Sequence, residues 1–151
     1  SDALHEQLTQ RFIDKRTSAL MKGLRDKDEM NADIAADGAI TVEANTRDAI
    51  LDATHELLST IVEANTLDPD DIGAVFFTTT ADLTAEYPAV AAREMGWHDA
   101  AIMCSHEMNV PHGLARCLRV LILWNTTRTT REIQHVYLRG AAVLRPDRTL
   151  S

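Results

Sequence analysis

The sequence predicts an α/β protein: a mixed sheet with helices packed on one of its sides. Three observations carry that reading. One stretch, residues 46–65, has apolar residues at helical spacing between clear start and stop signals. The other apolar runs are of strand length and bounded by turn residues. Their order is strand, helix, strand, helix and then several strands, so the later strands cannot all be joined by crossover helices, and a purely parallel sheet is excluded.

The chain divides near residue 37, into an arm with linker over 1–37 and a domain over 38–151. The first part carries eight acids and six bases but few large apolar side chains. Leu4, Leu8 and Phe12 share one face at i, i+4 spacing, which predicts a helix over about 3–24, followed by the polar linker RDKDEMNADIAAD. A solvated or loosely docked arm is the simplest expectation, with packing on a partner protein or neighbouring subunit as the sharper one.

From Ala39 the texture changes. AITV predicts a short strand, and Asn45 or Thr46 caps a helix with Asp48 in its first turn and Ile50, Thr54, Leu57, Leu58, Ile61 and Val62 on its periodic face. Asn65 and LDPDD end it. IGAVFFTTT is the next strand. Pro88 opens a short helix, PAVAAREM, which Gly96 terminates. AAIMC reads as a buried strand and CLRVLILW as a long one; a turn at Arg139–Gly140 separates two more, QHVYL and AAVLR. No internal repeat is visible.

Composition narrows the function. With 23 acids against 15 bases and a formal charge of −8, the chain lacks the clustered cations that bind a phosphate backbone, so no nucleic-acid partner is expected. No apolar run reaches about 18 residues, so no membrane span is expected. The stretch SDALHEQLTQRF is polar and charged, unlike a signal peptide, which predicts a cytoplasmic protein.

The polar groups suited to chemistry gather between Arg93 and Arg145. Cys104, His106, His112 and Cys117 form C-x-H-x5-H-x4-C, but the spacing matches no common structural zinc pattern, so no metal is expected. Cys104 near a histidine raises a thiolate nucleophile, yet no third, orienting group is evident. Arg119 interrupts CLRVLILW on the face shared with Cys117, Leu121 and Leu123. A buried charge there needs a partner. An ion pair with Glu107 and an anion-binding guanidinium both satisfy that need, and spacing alone does not choose. Tyr137 adds a hydroxyl, or is ordinary core.

The segments GAITVEANT, TADLTAEYPAVAARE, CSHEMNVPHGLARCLRV and HVYLRGAAVLRPD closely resemble the monofunctional chorismate mutases of the AroH type. The resemblance runs in order from about Gly38 to Leu150, three quarters of the chain, and leaves the arm uncovered. It implies a homotrimeric pseudo-barrel with helices outside and active sites at subunit interfaces. The implied reaction is the pericyclic rearrangement of chorismate to prephenate, on the path to phenylalanine and tyrosine. That step needs no cofactor, metal, nucleophile or proton transfer. By motif position Arg119 faces the ether oxygen, Glu107 takes the substrate hydroxyl, and Cys104 lines the same wall. Tyr137 binds a carboxylate, Arg93 adds positive potential, Tyr87 is an aromatic wall, and Leu144 and Arg145 belong to a closing C-terminal segment.

Two positions depart from the pattern. Val90 stands where some relatives carry a lysine. Asp37 stands where the family has an arginine that grips a substrate carboxylate. A carboxylate there, about 4 Å from the substrate's, is repelled by about 4 kcal/mol at an effective dielectric near 20. Three outcomes follow: the altered segment takes another path, Arg16, Arg25 or Lys27 of the arm restores the charge, or the chain is a weak homologue acting as a binding or assembly subunit.

Overall fold

The computed structural model describes residues 32–148; the arm helix expected over 3–24 lies outside them. Five strands form one mixed sheet in the order β3-β2-β4-β1-β5: β1 (Ala32–Thr41), β2 (Ile72–Thr79), β3 (Ala101–His106), β4 (Cys117–Thr126) and β5 (Val136–Leu138). β4 is antiparallel to both β1 and β2, while β1 with β5 and β2 with β3 are parallel pairs.

The helix α1 (Arg47–Asn65) starts where Thr46 turns extended and its hydroxyl accepts the Ala49 N–H at 3.2 Å, with Asp48 at the positive end of the helix. It ends at Thr66, which takes the left-handed conformation (φ 48°). Asn65 is buried, and its amide does the work of a clasp. It donates to the carbonyls of Ile61 and Gln134 and accepts the Gln134 N–H, tying the end of α1 to the chain that enters β5. Gly38 allows the helix to sit so close: a Cβ there would stand 2.4 Å from the Val136 carbonyl and 3.1 Å from Leu57 and Ile61.

α2 (Ala89–Glu94) follows Pro88, and both helices cover the same sheet face. On that face Ile34, Ala36, Ile40, Val75, Phe77, Leu118, Val120, Ile122 and Trp124 are buried against Leu57, Leu58, Ile61, Ala89 and Ala92. The predicted class, a mixed sheet with helices on one side, is the observed one.

Four local expectations are corrected. The first strand begins at Ala32, not Ala39, so residues 32–37 belong to the sheet rather than to a linker. Its alanines and aspartates are poor strand formers, but every residue of β1 pairs with β4, and Ile34, Ala36 and Ile40 alternate inward. β3 is an edge strand rather than a buried one, with Met103 62% exposed. AAVLR is no strand: Arg139 has φ 54° and residues Arg139–Leu144 form a 3-10 turn. Arg119, expected to be a buried charge, points to the open face with its side chain 46% exposed.

Candidate active site

Side chains paired across neighbouring strands point to the same side of a sheet. Ser105, Thr78, Arg119, Ala39 and Tyr137 therefore form one row across all five strands, on the face the helices leave open. The next row holds Met103, Phe76, Leu121 and Asp37.

Glu107 follows β3 directly, and its N–H donates to the Thr79 carbonyl at 2.8 Å, continuing the ladder one residue past the strand. This brings its carboxylate over the Thr78–Arg119 pair. Thr78 Oγ1 donates to Glu107 Oε2 at 2.6 Å, and Arg119 Nη1 donates to the same oxygen at 3.3 Å. Both sequence alternatives for Arg119 are thus compatible: the ion pair exists, yet it uses a single guanidinium nitrogen. Among the described residues no other hydrogen bond engages the fork. A hollow of about 420 Å³ opens above the pair, lined also by Asp82, Cys117 and Leu144. That volume suits a small organic ligand. Asp82 shapes its rim by accepting from the Thr80 hydroxyl and from the Arg116 N–H. What burial it has works against its charge, but those donors hold its carboxyl below the usual range.

Asp37 stays in the strand. It pairs with Leu121, so the altered first segment follows the regular path and its side chain shares the face of Arg119. Its carboxylate is not idle: Tyr137 donates its hydroxyl to Oδ2 at 2.8 Å, and His135 Nδ1 lies 2.5 Å from Oδ1. The same Nδ1 accepts the Asp37 backbone N–H at 3.1 Å, so the imidazole is held against this one residue twice. Arg145 sits within the field of Asp37 and Tyr137, and its guanidinium is held protonated by the neighbouring carboxylate of Asp147, with hydrogen bonds of 3.1 and 2.9 Å.

Cys104 lies elsewhere. It pairs with Phe77, whose partner on β4 is Val120, so it points to the helix side, away from Arg119. With Tyr87 it lines a second hollow, of about 430 Å³, which shares no lining residue with the first. Burial pushes the Cys104 thiol up, against the pull of the Ala89 backbone and the charge of Arg93, and so leaves little thiolate at neutral pH. Cys117 faces the other side, so the C-x-H-x5-H-x4-C residues are split by the sheet. Among the described residues no three His, Cys, Asp or Glu side chains gather as a metal would need. Val90 is half-buried in α2.

The predicted residues therefore fall into two groups within one chain: Glu107, Arg119, Leu144 and, farther along the same face, Tyr137 and Asp37; and Cys104, Tyr87 and Arg93 on the other side of β3. Two neighbours were not read from the sequence. Thr78 sits in the uniform run TTT, where alternation alone does not tell which threonine faces the site. His135 precedes a three-residue strand too short to fix its register.

A cation and a carboxylate on the open face of an α/β scaffold, with a hydroxyl donor beside them and a hollow of small-ligand size above, mark the candidate site. The relatives make the class specific. Residues 34–148 match the family described as chorismate mutase type I, and the chain belongs to that family. The match takes in the part of β1 that the resemblance from Gly38 had left out. Over 111 residues the chain is 49% identical to the chorismate mutase AroH of Thermus thermophilus, covering 73% of this chain and 91% of that protein. It is 42% identical over 115 residues to the chorismate mutase AroH of Bacillus subtilis, covering 76% and 91%. A solved chorismate mutase from Clostridium thermocellum superposes with a TM-score of 0.71 at 48% identity, over 72% of this chain and 97% of that one.

Proposed function

We propose that this protein is a chorismate mutase that rearranges chorismate to prephenate without a cofactor, and that it works as a homotrimer with active sites where two copies meet. The observation that carries the reading is the Glu107–Arg119 pair on the open face, within the span that matches the family.

The reaction breaks an ether C–O bond while a C–C bond forms, and the transition state gathers negative charge on the ether oxygen. The fork of Arg119, fixed by one contact to Glu107, has donors left for that oxygen. A single preorganised donor of this kind contributes about 3–4 kcal/mol. Glu107 Oε1 takes the substrate hydroxyl and faces the cationic side of the transition state. Tyr137, Arg145 and Arg93 serve the two substrate carboxylates. Asp37 is the exception, and its contacts temper the penalty: its carboxylate is engaged by the Tyr137 hydroxyl and His135, and Arg145 lies close by. The alternative of a silent binding subunit gains nothing from these contacts or from the family match.

Assembly enters because the expected site residues are divided between the two hollows. One offers Glu107, Arg119 and Leu144; the other offers Cys104 and Tyr87, with Arg93 nearby. A second copy placing one hollow against the other unites residues that a single chain keeps apart. The exposed row of Met103, Phe76 and Leu121 supplies the apolar surface for such a contact. In this reading the residues before Ala32 serve a neighbouring subunit or another partner.

Steady-state loss of chorismate, followed by ultraviolet absorbance, tests the activity. The native protein turns over without added metal, and Arg119→Ala lowers kcat by about 100- to 1,000-fold, the scale of one lost oxyanion donor. Equal rates in the two proteins would defeat the assignment. Sedimentation analysis tests the assembly: three copies are expected, and a monomer that is fully active would overturn it.

A further inference from the structure

We propose that Thr78 is a positioning residue for this reaction: its hydroxyl holds Glu107 so that Arg119 stays available to the substrate. The inference rests on the mutase reading above for its effect on rate, but not for its structural claim.

The geometry has one oxygen serving two donors. Thr78 Oγ1 reaches Glu107 Oε2 at 2.6 Å, while Arg119 Nη1 reaches the same atom at 3.3 Å. A carboxylate and a guanidinium left to themselves favour two parallel hydrogen bonds at about 2.7–2.9 Å. That closer grip would turn both carboxylate oxygens and two guanidinium nitrogens toward each other, away from any ligand. Here the shorter bond goes to threonine, and the pair with arginine stays single and long. Among the described residues, Glu107 Oε1 has no hydrogen-bond partner.

Backbone register makes the arrangement rigid. Thr78 is the direct cross-strand neighbour of Arg119 on β4 and of Ser105 on β3, two residues before Glu107. The Glu107 N–H is itself fixed on the Thr79 carbonyl. Threonine is also β-branched, with few rotamers in a strand, so its hydroxyl keeps one direction. Two consecutive residues of β2, Thr78 and Thr79, and the position after β3 thus set the Glu107 carboxylate, and Thr78 supplies the only side-chain hydroxyl bonded to it among the described residues.

Thr78→Val is the variant of choice, because valine keeps the shape and the strand preference while removing the donor. The expected result is a fall in kcat of about ten- to a hundredfold, the scale of one hydrogen bond to a charged group, with KM changed much less. Thr78→Ser, which keeps the hydroxyl, restores most of the rate. If serine falls as far as valine, or valine keeps the native kcat, Thr78 does not position Glu107. A crystal structure of Thr78→Val supplies a readout that needs no turnover: the Glu107 carboxylate is expected to close onto Arg119 through two short hydrogen bonds. An unmoved carboxylate in that variant overturns the proposal. Absence of turnover in the native protein would instead count against the mutase reading, with the crystallographic result still deciding the role of Thr78.

Discussion

The two faces of the sheet are built from the same strands, yet among the described residues only one is closed by helices. Phe77 is 1% exposed and its neighbour Phe76 is 37% exposed; Val120 is buried and Leu121 is 39% exposed. On the covered face α1 and α2 complete a core of branched and aromatic side chains. Among the described residues the open face has no helix, and it alternates large apolar residues with Arg119, Thr78, Asp37 and Tyr137. Stability and chemistry are thereby separated by one residue of register. A position on the covered face answers to packing, and the next position along the strand answers to ligand or to a second copy.

Adjacent substitutions on β4 test that separation most strongly. Arg119→Ala removes a charged group from the open face and is expected to leave the thermal midpoint within a few degrees of native, while its activity collapses as described. Leu118→Ala, one residue earlier and fully buried, is expected to cost about 2–5 kcal/mol of stability. The fraction that remains folded should keep a near-native kcat. Thermal unfolding and turnover measured on both proteins check the pair. If Arg119→Ala unfolds as readily as Leu118→Ala, the ion pair with Glu107 is holding the fold, and the division between faces fails.

Asp37 tests the open face by itself. Asp37→Arg restores a cation beside Tyr137 and frees the tyrosine hydroxyl from its present acceptor. The expected effect is a KM lower by about tenfold, near the lower end of what a hydrogen bond to a charged group contributes. An unchanged KM would mean that Arg145 already meets the need for charge at this end of the site.

How much of this was legible in the sequence follows from which effects are local. The Thr46 cap, the periodic face of α1 and the alternation of CLRVLILW are properties of short windows, and they were readable. The full length of β1 was not. Ala32, Ala35 and Ala36 have little strand preference of their own, and they are extended because β4 offers a ten-residue partner more than 75 positions away. AAVLR has a strand-like composition but follows Arg139 in a left-handed conformation, with the Gly140 N–H bonded to the Thr41 hydroxyl, a contact 99 residues long. Arg119 was expected to be buried because apolar neighbours flank it; only the one-sided placement of the helices shows that its face is open. Cys104 was set on the Arg119 wall by motif, whereas within one chain β-pairing through Phe77 and Val120 turns it to the other side, so in the proposed assembly that wall takes a second copy to build. Each miss lies where a distant element decides the outcome.

Cys117 offers the smallest and sharpest test, since it belongs to the open face by register yet is buried. Ala39, Tyr137, Ala141 and Leu114 close over it as a small secondary core. Burial pushes its thiol up from the usual 9.0 to about 11, with Arg119 pulling the other way and Glu107 and Asp82 adding to the rise. In the unfolded chain the thiol ionises near its ordinary value, so between about pH 9 and 11 the unfolded state has lost a proton that the folded state keeps. Unfolding then releases a proton, and stability must fall as pH rises through that window. Each pKa unit is worth about 1.4 kcal/mol, and discounting for the solvent that still reaches the thiol leaves about 1–2 kcal/mol across the window. Denaturant unfolding at pH 8.5 and 10.5 should therefore show a larger drop for the native protein than for Cys117→Ala, whatever the absolute stability of the variant. Equal drops would mean that water reaches Cys117 freely, and that the lid formed by Ala141 and Leu114 closes only when a second copy covers the face.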